Sequence, residues 1–358
     1  MTRTAIMARV DAFCRRLSLK APILLAPMAG IPAPALSLAV MNAGGFGGCG
    51  VLQMSPDEIS KWCADVRAAS RGGFQLNVWV PDPPPLRNAD VEARVREFLA
   101  AWGPAVPANA AEMPERDFAA QCEAMLKARP AMVSSVMGLF PPAYVNALKA
   151  NNIAWAAGVC TVADAKKAVA AGADIIVAQG SEAGGHRANI NAAAAEQEMV
   201  GLMSLLPAIV DAVDAPVVAT GGIADPRGVA AALLLGASAV QIGTGFLRSP
   251  EAGLNQSWAD AIGRTPPEGT RVSRVFSGRA GRSIATAYVA AATADSAPTP
   301  APHPIQRALT KTMRDAANRA GDLDRMQAWA GQSAAMARAE PAAKIFNDLW
   351  NGARTLLA

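Results

Sequence analysis

Residues 169–180 read VAAGADIIVAQG, and residues 234–245 read LLGASAVQIGTG. Each runs from the end of an apolar helix, through a glycine, into a short apolar strand and out to a tip of glutamine and glycine. Gly172 and Gly236 stand just past the last helical turn, where a left-handed residue ends a helix and glycine takes that conformation at least cost. Both strands are continuous apolar runs, which suits strands buried on both faces of a parallel sheet. The two stretches therefore read as copies of one helix–strand unit rather than as a solenoid.

Working outward, the same unit recurs along the chain. Strands are predicted at 23–28, 46–51, 74–80, 131–136, 153–159, 174–179, 217–220 and 239–243. Helices are predicted between them at 35–42, 56–69, 117–128, 143–150, 162–170, 201–213 and 227–235. Eight such units in one chain predict a closed (β/α)8 or TIM barrel, not an open sheet. Residues 1–262 are assigned to this barrel. A proline-rich insertion over about 81–116, with a helical piece at 92–102, follows the third strand and is expected over the barrel mouth. From 263 the pattern is read as helical: a stiff connector, APTPAPHP at 297–304, then two or three amphipathic helices. Residues 263–358 are expected to form a helical extension packed on the barrel.

Bulk properties narrow the function. Apolar residues make up 52% of the chain and aromatics only 5%, so the expected core is one of many closely packed helices rather than a disordered chain. The net charge of +4 is spread over isolated bases such as Arg67, Arg94 and Arg264, with no basic block among aromatics, so nucleic acid is not an expected partner. The five cysteines include no CxxC pair, which disfavours structural zinc and a disulfide framework. Charges at Arg9, Asp11, Arg15 and Arg16 break up any leader-like apolar run, so a cytoplasmic location is expected. The uncharged stretch 228–247 is split by Gly236 and reads as a helix–strand unit, not a membrane span.

In a (β/α)8 barrel the site lies at the C-terminal ends of the strands. Those ends collect Ala26 and Met28, Asn77, Cys160, the run QGSEAGGHR from Gln179 to Arg187, Gly221–Gly222, and Gln241 with Gly243 and Thr244. The set is rich in glycine and neutral amides and almost free of carboxylates. A metal centre needs clustered Asp, Glu or His, and a glycosidase needs paired carboxylates; neither is expected here. Singly, each glycine is ordinary turn chemistry. Together, Gly221, Gly222, Gly243 and Thr244 at the last two strand ends describe a phosphate cradle. Asn77, Gln179 and Gln241 suit the edge of a flat heteroaromatic ring. The combination describes a site for FMN, and no GxGxxG run offers a dinucleotide fold.

Of two histidines, His303 sits between prolines and is expected to be solvated. His186, in the Gly184–Gly185 loop, is the candidate base, with a loop-holding role as the alternative. Glu182 is expected to bond backbone rather than orient His186. Arg187 either attracts an anionic substrate or is a solvated surface charge. Cys160 reads as a packing residue.

These residues resemble the nitronate monooxygenase family, also called 2-nitropropane dioxygenases. The likeness rests on APMAG (26–30), GGFG (44–47), QGSEAGGHR (179–187), PVVATGG (216–222), QIGTGFL (241–247), FSGR (276–279) and WAGQS (329–333). It implies a barrel that binds FMN without metal and oxidises alkyl nitronates with O2. It also implies FMN contacts from Ala26, Met28, Asn77, Gln179, Gly184, Gly222, Gln241, Gly243 and Thr244, with His186 as base or nitronate-binding group. The sequence departs from the family pattern at Ser134–Gly138, SSVMG where many members read SFHFG, and at Ala188, where glycine is usual. Both departures bear on substrate more than cofactor. Two rivals stay open: a flavin-dependent enoyl-acyl-carrier-protein reductase using NAD(P)H, and a non-catalytic flavoprotein. The expected partners are a small nitronate or nitroalkane and O2, with no membrane; a homodimer is left open.

Overall fold

The computed structural model describes residues 2–31, 33–112 and 116–358. Its centre is eight parallel strands: β1 Ile23–Leu25, β2 Gly47–Gly50, β3 Phe74–Trp79, β4 Met132–Val136, β5 Ala154–Val159, β6 Ile175–Gln179, β7 Val217–Thr220 and β8 Ala239–Ile242. Each pairs in parallel with the next, and β8 returns to β1 with Leu24 opposite Gln241. Between β1 and β2 the ring is joined by a single bridge, Leu24 to Phe46, where the Leu25 N–H donates to the Phe46 carbonyl at 2.8 Å. All eight expected strands are present. Strand 217–220 keeps its expected bounds, and the other seven are shorter than expected by one to three residues.

The barrel is filled by Leu24, Phe46, Met132, Ala156, Ile175 and Val218 among others. Its lower end is closed by a helix the sequence reading did not foresee, α1 Arg3–Leu17, which sets Phe13 and Leu17 into that same cluster. Seven helices surround the strands: α2 Ala35–Ala43, α3 Pro56–Ala69, α5 Phe118–Ala128, α6 Pro142–Ala150, α7 Val162–Ala170, α8 Leu202–Val210 and α9 Pro226–Leu234. Their starts are written in the sequence. Ser55 and Glu58 form a reciprocal cap on α3 behind Pro56 at its first turn, and Thr161 and Asp225 cap α7 and α9. The eighth place in the ring is filled from far along the chain. Helix α14, Ala342–Leu356, packs between α9 and α2 and sinks Ile345, Phe346, Leu349 and Ala353 into the main core.

The insertion is an extended 81–88 segment followed by α4 Ala89–Ala100, capped by Asn88; residues 113–115, within the expected insertion, lie outside the described residues. Val95 and Leu99 of α4 build a smaller core with Tyr288, Val289, Leu309 and Met313. These come from α11 Ala287–Ala292, α12 Ile305–Leu309 and α13 Lys311–Ala320, which follow α10 Gln256–Arg264. The helical reading from 263 needs one correction. Strands β9 Thr270–Ser273 and β10 Gly281–Ile284 form an antiparallel hairpin, and β10 pairs with the two-residue strand Gly185–His186. The hairpin carries Thr, Ser, Gly and Arg in place of an apolar run, so hydrophobic patterning passed over it. Stretch 228–247 is the helix–strand unit expected of it, and among the described residues no helix is long and apolar enough to cross a membrane.

Candidate active site

A cavity of about 370 Å³ opens at the C-terminal ends of the strands, within the roughly 300–1,000 Å³ usual for small-molecule sites. Ala26, Met28, Asn77, Gln179, Gly184, Gly185, His186, Gly221, Gly222, Gln241, Gly243 and Thr244 all line it. The barrel thus brings every site residue named from sequence to one place. What each can do there depends on its partners.

The floor is an amide relay. Gln75, fully buried, donates to Gln241 Oε1 at 2.9 Å and accepts from Ser134 Oγ at 2.9 Å, while Asn77 Nδ2 donates to Ser134 Oγ at 3.0 Å. These bonds fix the free ends. The Gln241 amide N–H and the Asn77 carbonyl oxygen have no partner among the described residues, and both side chains line the cavity, one offering a donor and the other an acceptor. Gln179 differs. Its carbonyl oxygen accepts from Ala188 N at 2.9 Å and Cys160 Sγ at 3.3 Å, and its amide donates to the His186 carbonyl at 3.0 Å. It mainly holds the His186 loop in shape.

On the strand end next to Gln241, where Thr220 pairs with Gln241, Gly221 and Gly222 take φ of 112° and 70°. The helix they precede is closed to a ligand, because Asp225 accepts from Gly228 N at 3.0 Å. The short turn Thr244–Phe246, by contrast, has no side-chain cap, and the Thr244 and Gly245 N–H groups have no hydrogen-bond partner among the described residues. Gly184 must be glycine for another reason: a Cβ there would lie 2.5 Å from Gly331 N. Residues 331 and 332 are stitched to this wall, Gly331 N donating to Thr244 Oγ1 at 3.0 Å and Gln332 N to the Glu182 carbonyl at 2.9 Å.

His186 stands between two indoles, Trp79 at 4.5 Å and Trp329 at 4.7 Å between ring centres, both edge-on. Its Nε2 lies 2.7 Å from Ser277 Oγ. Burial, with His303, Arg307, Arg279 and Arg314 nearby, holds the imidazole well below its usual range, so it is neutral at physiological pH.

The comparisons with known proteins agree with this geometry. The family model for nitronate monooxygenase matches residues 12–352. A nitronate monooxygenase of Paraburkholderia phytofirmans is 35% identical over 93% of this chain and 92% of its own. The chain belongs to the nitronate monooxygenase family. Among solved structures, a nitroalkane oxidase from Streptomyces ansochromogenes has TM-score 0.86 and 32% identity over 98% of this chain and 100% of its own. FabK from Thermotoga maritima has TM-score 0.74 and 25% identity over 97% of this chain and 96% of its own. Family membership makes this chain an oxidoreductase that uses a flavin.

For a nitronate monooxygenase family member, the side chains around His186 correct two sequence readings. Arg187 is not a solvated surface charge. It is 2% exposed and donates from Nη1 to the Gly180 carbonyl at 2.7 Å, pinning the loop from beneath. His303 is not solvated either: it packs on Trp79 at 5.4 Å, although it does not line the cavity. The connector folds inward because Ala301 and Ile305 belong to the small core. Glu182 bonds backbone as expected, accepting from Leu202 N at 2.9 Å at the start of α8, and Cys160 is a buried packing thiol. Sequence reasoning missed Trp79, Trp329, Arg307, Arg314 and Gln327, which also line the cavity. WAGQS marked Trp329 only by resemblance, and no local pattern ties residues so far along the chain to a strand end.

His303 also makes the fold acid-sensitive. Burial first, then Arg307 and Arg279, bring it to about 4, below its ordinary 6.5. The unfolded chain therefore takes the proton first as pH falls, and stability is lost between about pH 6.5 and 4. That group is worth roughly 3 kcal/mol over the interval. Denaturant unfolding at pH 7 and pH 4 should show a smaller difference for His303→Asn than for wild type. Equal differences would remove His303 from the account.

Proposed function

We propose that the chain binds FMN in this cavity and oxidises alkyl nitronates, and neutral nitroalkanes through His186, with O2. The observation that carries the reading is the fixed pair at the floor. The Gln241 N–H and the Asn77 carbonyl, both lining the cavity and held by the same relay, offer the donor and the acceptor that a flavin's pyrimidine edge needs, where a ring N–H lies between two carbonyl oxygens. Ala26 and Met28 wall the same space, and one remaining Gln179 N–H can serve that ring. The uncapped turn at Gly243–Thr244, with Gly221 and Gly222 at the end of the neighbouring strand, suits one phosphate. Gly184 and Gly185 let the His186 loop approach closely. When bound, the flavin supplies the redox chemistry, taking electrons from substrate and passing them to O2.

The protein's own work is positioning and one proton. Trp79 and Trp329 keep water from the imidazole, which stays neutral and able to accept a proton from the carbon next to a nitro group. With nitronate as substrate that proton is already gone, and no proton transfer is asked of His186. Val136 and Ala188, where the sequence departs from the family pattern, both line the cavity and bear on which substituent fits.

Mass spectrometry of cofactor released by heat should find FMN. FAD, or no flavin after reconstitution, overturns the reading. Anaerobic addition of a nitronate should bleach the flavin spectrum and O2 should restore it. Reoxidation by an enoyl thioester, with no bleaching by nitronate, would instead assign the chain to the reductases.

A further inference from the structure

The two ring nitrogens of His186 have different surroundings. Nε2 meets Ser277 Oγ at 2.7 Å. Ser277 is 1% exposed; its Oγ lies 3.2 Å from the Arg279 carbonyl oxygen and accepts from Arg279 N at 3.3 Å. A hydroxyl has one proton to give, and the Arg279 carbonyl can only accept. With the serine proton directed there, Oγ is an acceptor toward the ring, and the matching partner is an Nε2–H. Nδ1 has no hydrogen-bond partner among the described residues, and the side chain lines the cavity.

We infer that Ser277 is a positioning residue that holds His186 as the Nε2–H tautomer, leaving the Nδ1 lone pair to take the substrate's proton. This rests on the reading of His186 as base.

The turn that carries Ser277 is built to stay still. Arg279 is bound twice by Asp82 of the insertion, at 2.8 and 2.9 Å. Gly278 takes φ of 81°, and a Cβ there would lie 2.4 Å from His303 N, so the connector closes the turn from behind. On the other side, Gly281 pairs with His186 through β10, which fixes the histidine backbone against the same hairpin. Imidazole and hydroxyl are thus held from separate parts of the chain. Which nitrogen of a histidine is protonated is set by the bond the other makes.

The proton transfer then balances simply. The substrate C–H bond breaks, the proton goes to Nδ1, and the electron pair stays on the substrate as the nitronate anion. The ring becomes an imidazolium whose Nε2–H still points at Ser277 Oγ. The nitronate formed beside it offsets the new positive charge among Arg279, Arg307 and Arg314.

The chain has two histidines, so nitrogen-15 labelling of histidine yields two imidazole patterns in the holoprotein, and His303→Asn assigns them. Wild type should show His186 as one tautomer with the proton on Nε2. Ser277→Ala should shift that pattern toward a mixture, and Ser277→Thr should restore it. Ser277→Ala should also lose nitroalkane kcat/KM by roughly 10- to 100-fold, part of the 10²–10⁴ that a positioned base contributes. Flavin content should hold, nitronate turnover should fall less than nitroalkane turnover, and thermal unfolding checks that the variant folds. Should Ser277→Ala fail to fold, Ser277→Cys, a weaker acceptor of similar size, serves in its place. A wild-type proton on Nδ1, or a pattern unchanged in Ser277→Ala, overturns the inference. The tautomer is read without turnover, so it stands or falls separately from the role of His186 as base, which the His186→Asn variant tests.

Discussion

Replacing His186 with asparagine should cut turnover of neutral nitroalkanes by roughly 10²–10⁴-fold, the contribution of a positioned base. Asparagine keeps a hydrogen-bonding amide of similar size and cannot accept a proton near neutral pH. A preformed nitronate has no such proton to lose. Its turnover should change by no more than about tenfold, or about 1.4 kcal/mol. Flavin occupancy should be unchanged, because the loop is pinned by Gln179 on the His186 carbonyl and by Arg187 beneath. Small, equal losses with both substrates would assign His186 to holding the loop. A wild type that turns over nitronates alone would assign it to binding. His303 lies on the same indole, so His186→Asn is best compared with and without His303→Asn; residual nitroalkane activity that vanishes in the double variant belongs to His303.

Gly222→Asp should lose flavin. A carboxylate placed about 4 Å from a phosphate at an effective dielectric of 20 costs on the order of 4 kcal/mol, or roughly a thousandfold in affinity. The backbone must be separated from the charge, since Gly222 has φ of 70° and a Cβ there would lie 3.2 Å from Glu182 Cβ. Gly222→Ala carries the same strain, of order 1–3 kcal/mol, without the charge. The alanine variant should therefore retain flavin at lower stability, and the aspartate variant should purify without it. Absorbance at the flavin maximum decides between them. Equal occupancy in the two would move the phosphate away from Gly222.

The barrel was legible because its signals are local. An apolar strand, a capped helix and a closing glycine each occupy a short run of neighbouring residues, as at 169–180, and repeat often enough to be counted. The inner half of the cavity was legible for the same reason, since strand ends are where the chain itself places them. The outer half was not. Trp329 and Arg314 reach the cavity, and Ser277 reaches His186, through a hairpin of polar residues and a core shared with the insertion, and neither leaves a period in the sequence. Arg187 misled for a related reason: a charge in a glycine-rich loop reads as exposed until the backbone carbonyls that hold it are known. Gln179 shows the limit from the opposite side. Its position was read correctly, while its bonds turn inward to the loop that carries His186.

Helix α14 has a consequence for how such a chain matures. Every barrel strand leaves the ribosome before residues 342–356 do, so the nascent sheet waits with the flanks of α2 and α9 bare. Pairing elements so far apart in sequence is slow, because loop closure must precede the contacts that reward it. A chain ended upstream of Ala342 would lack Ile345, Phe346, Leu349 and Ala353 of the main core, and with the flanks of α2 and α9 uncovered it is expected to be the less stable product.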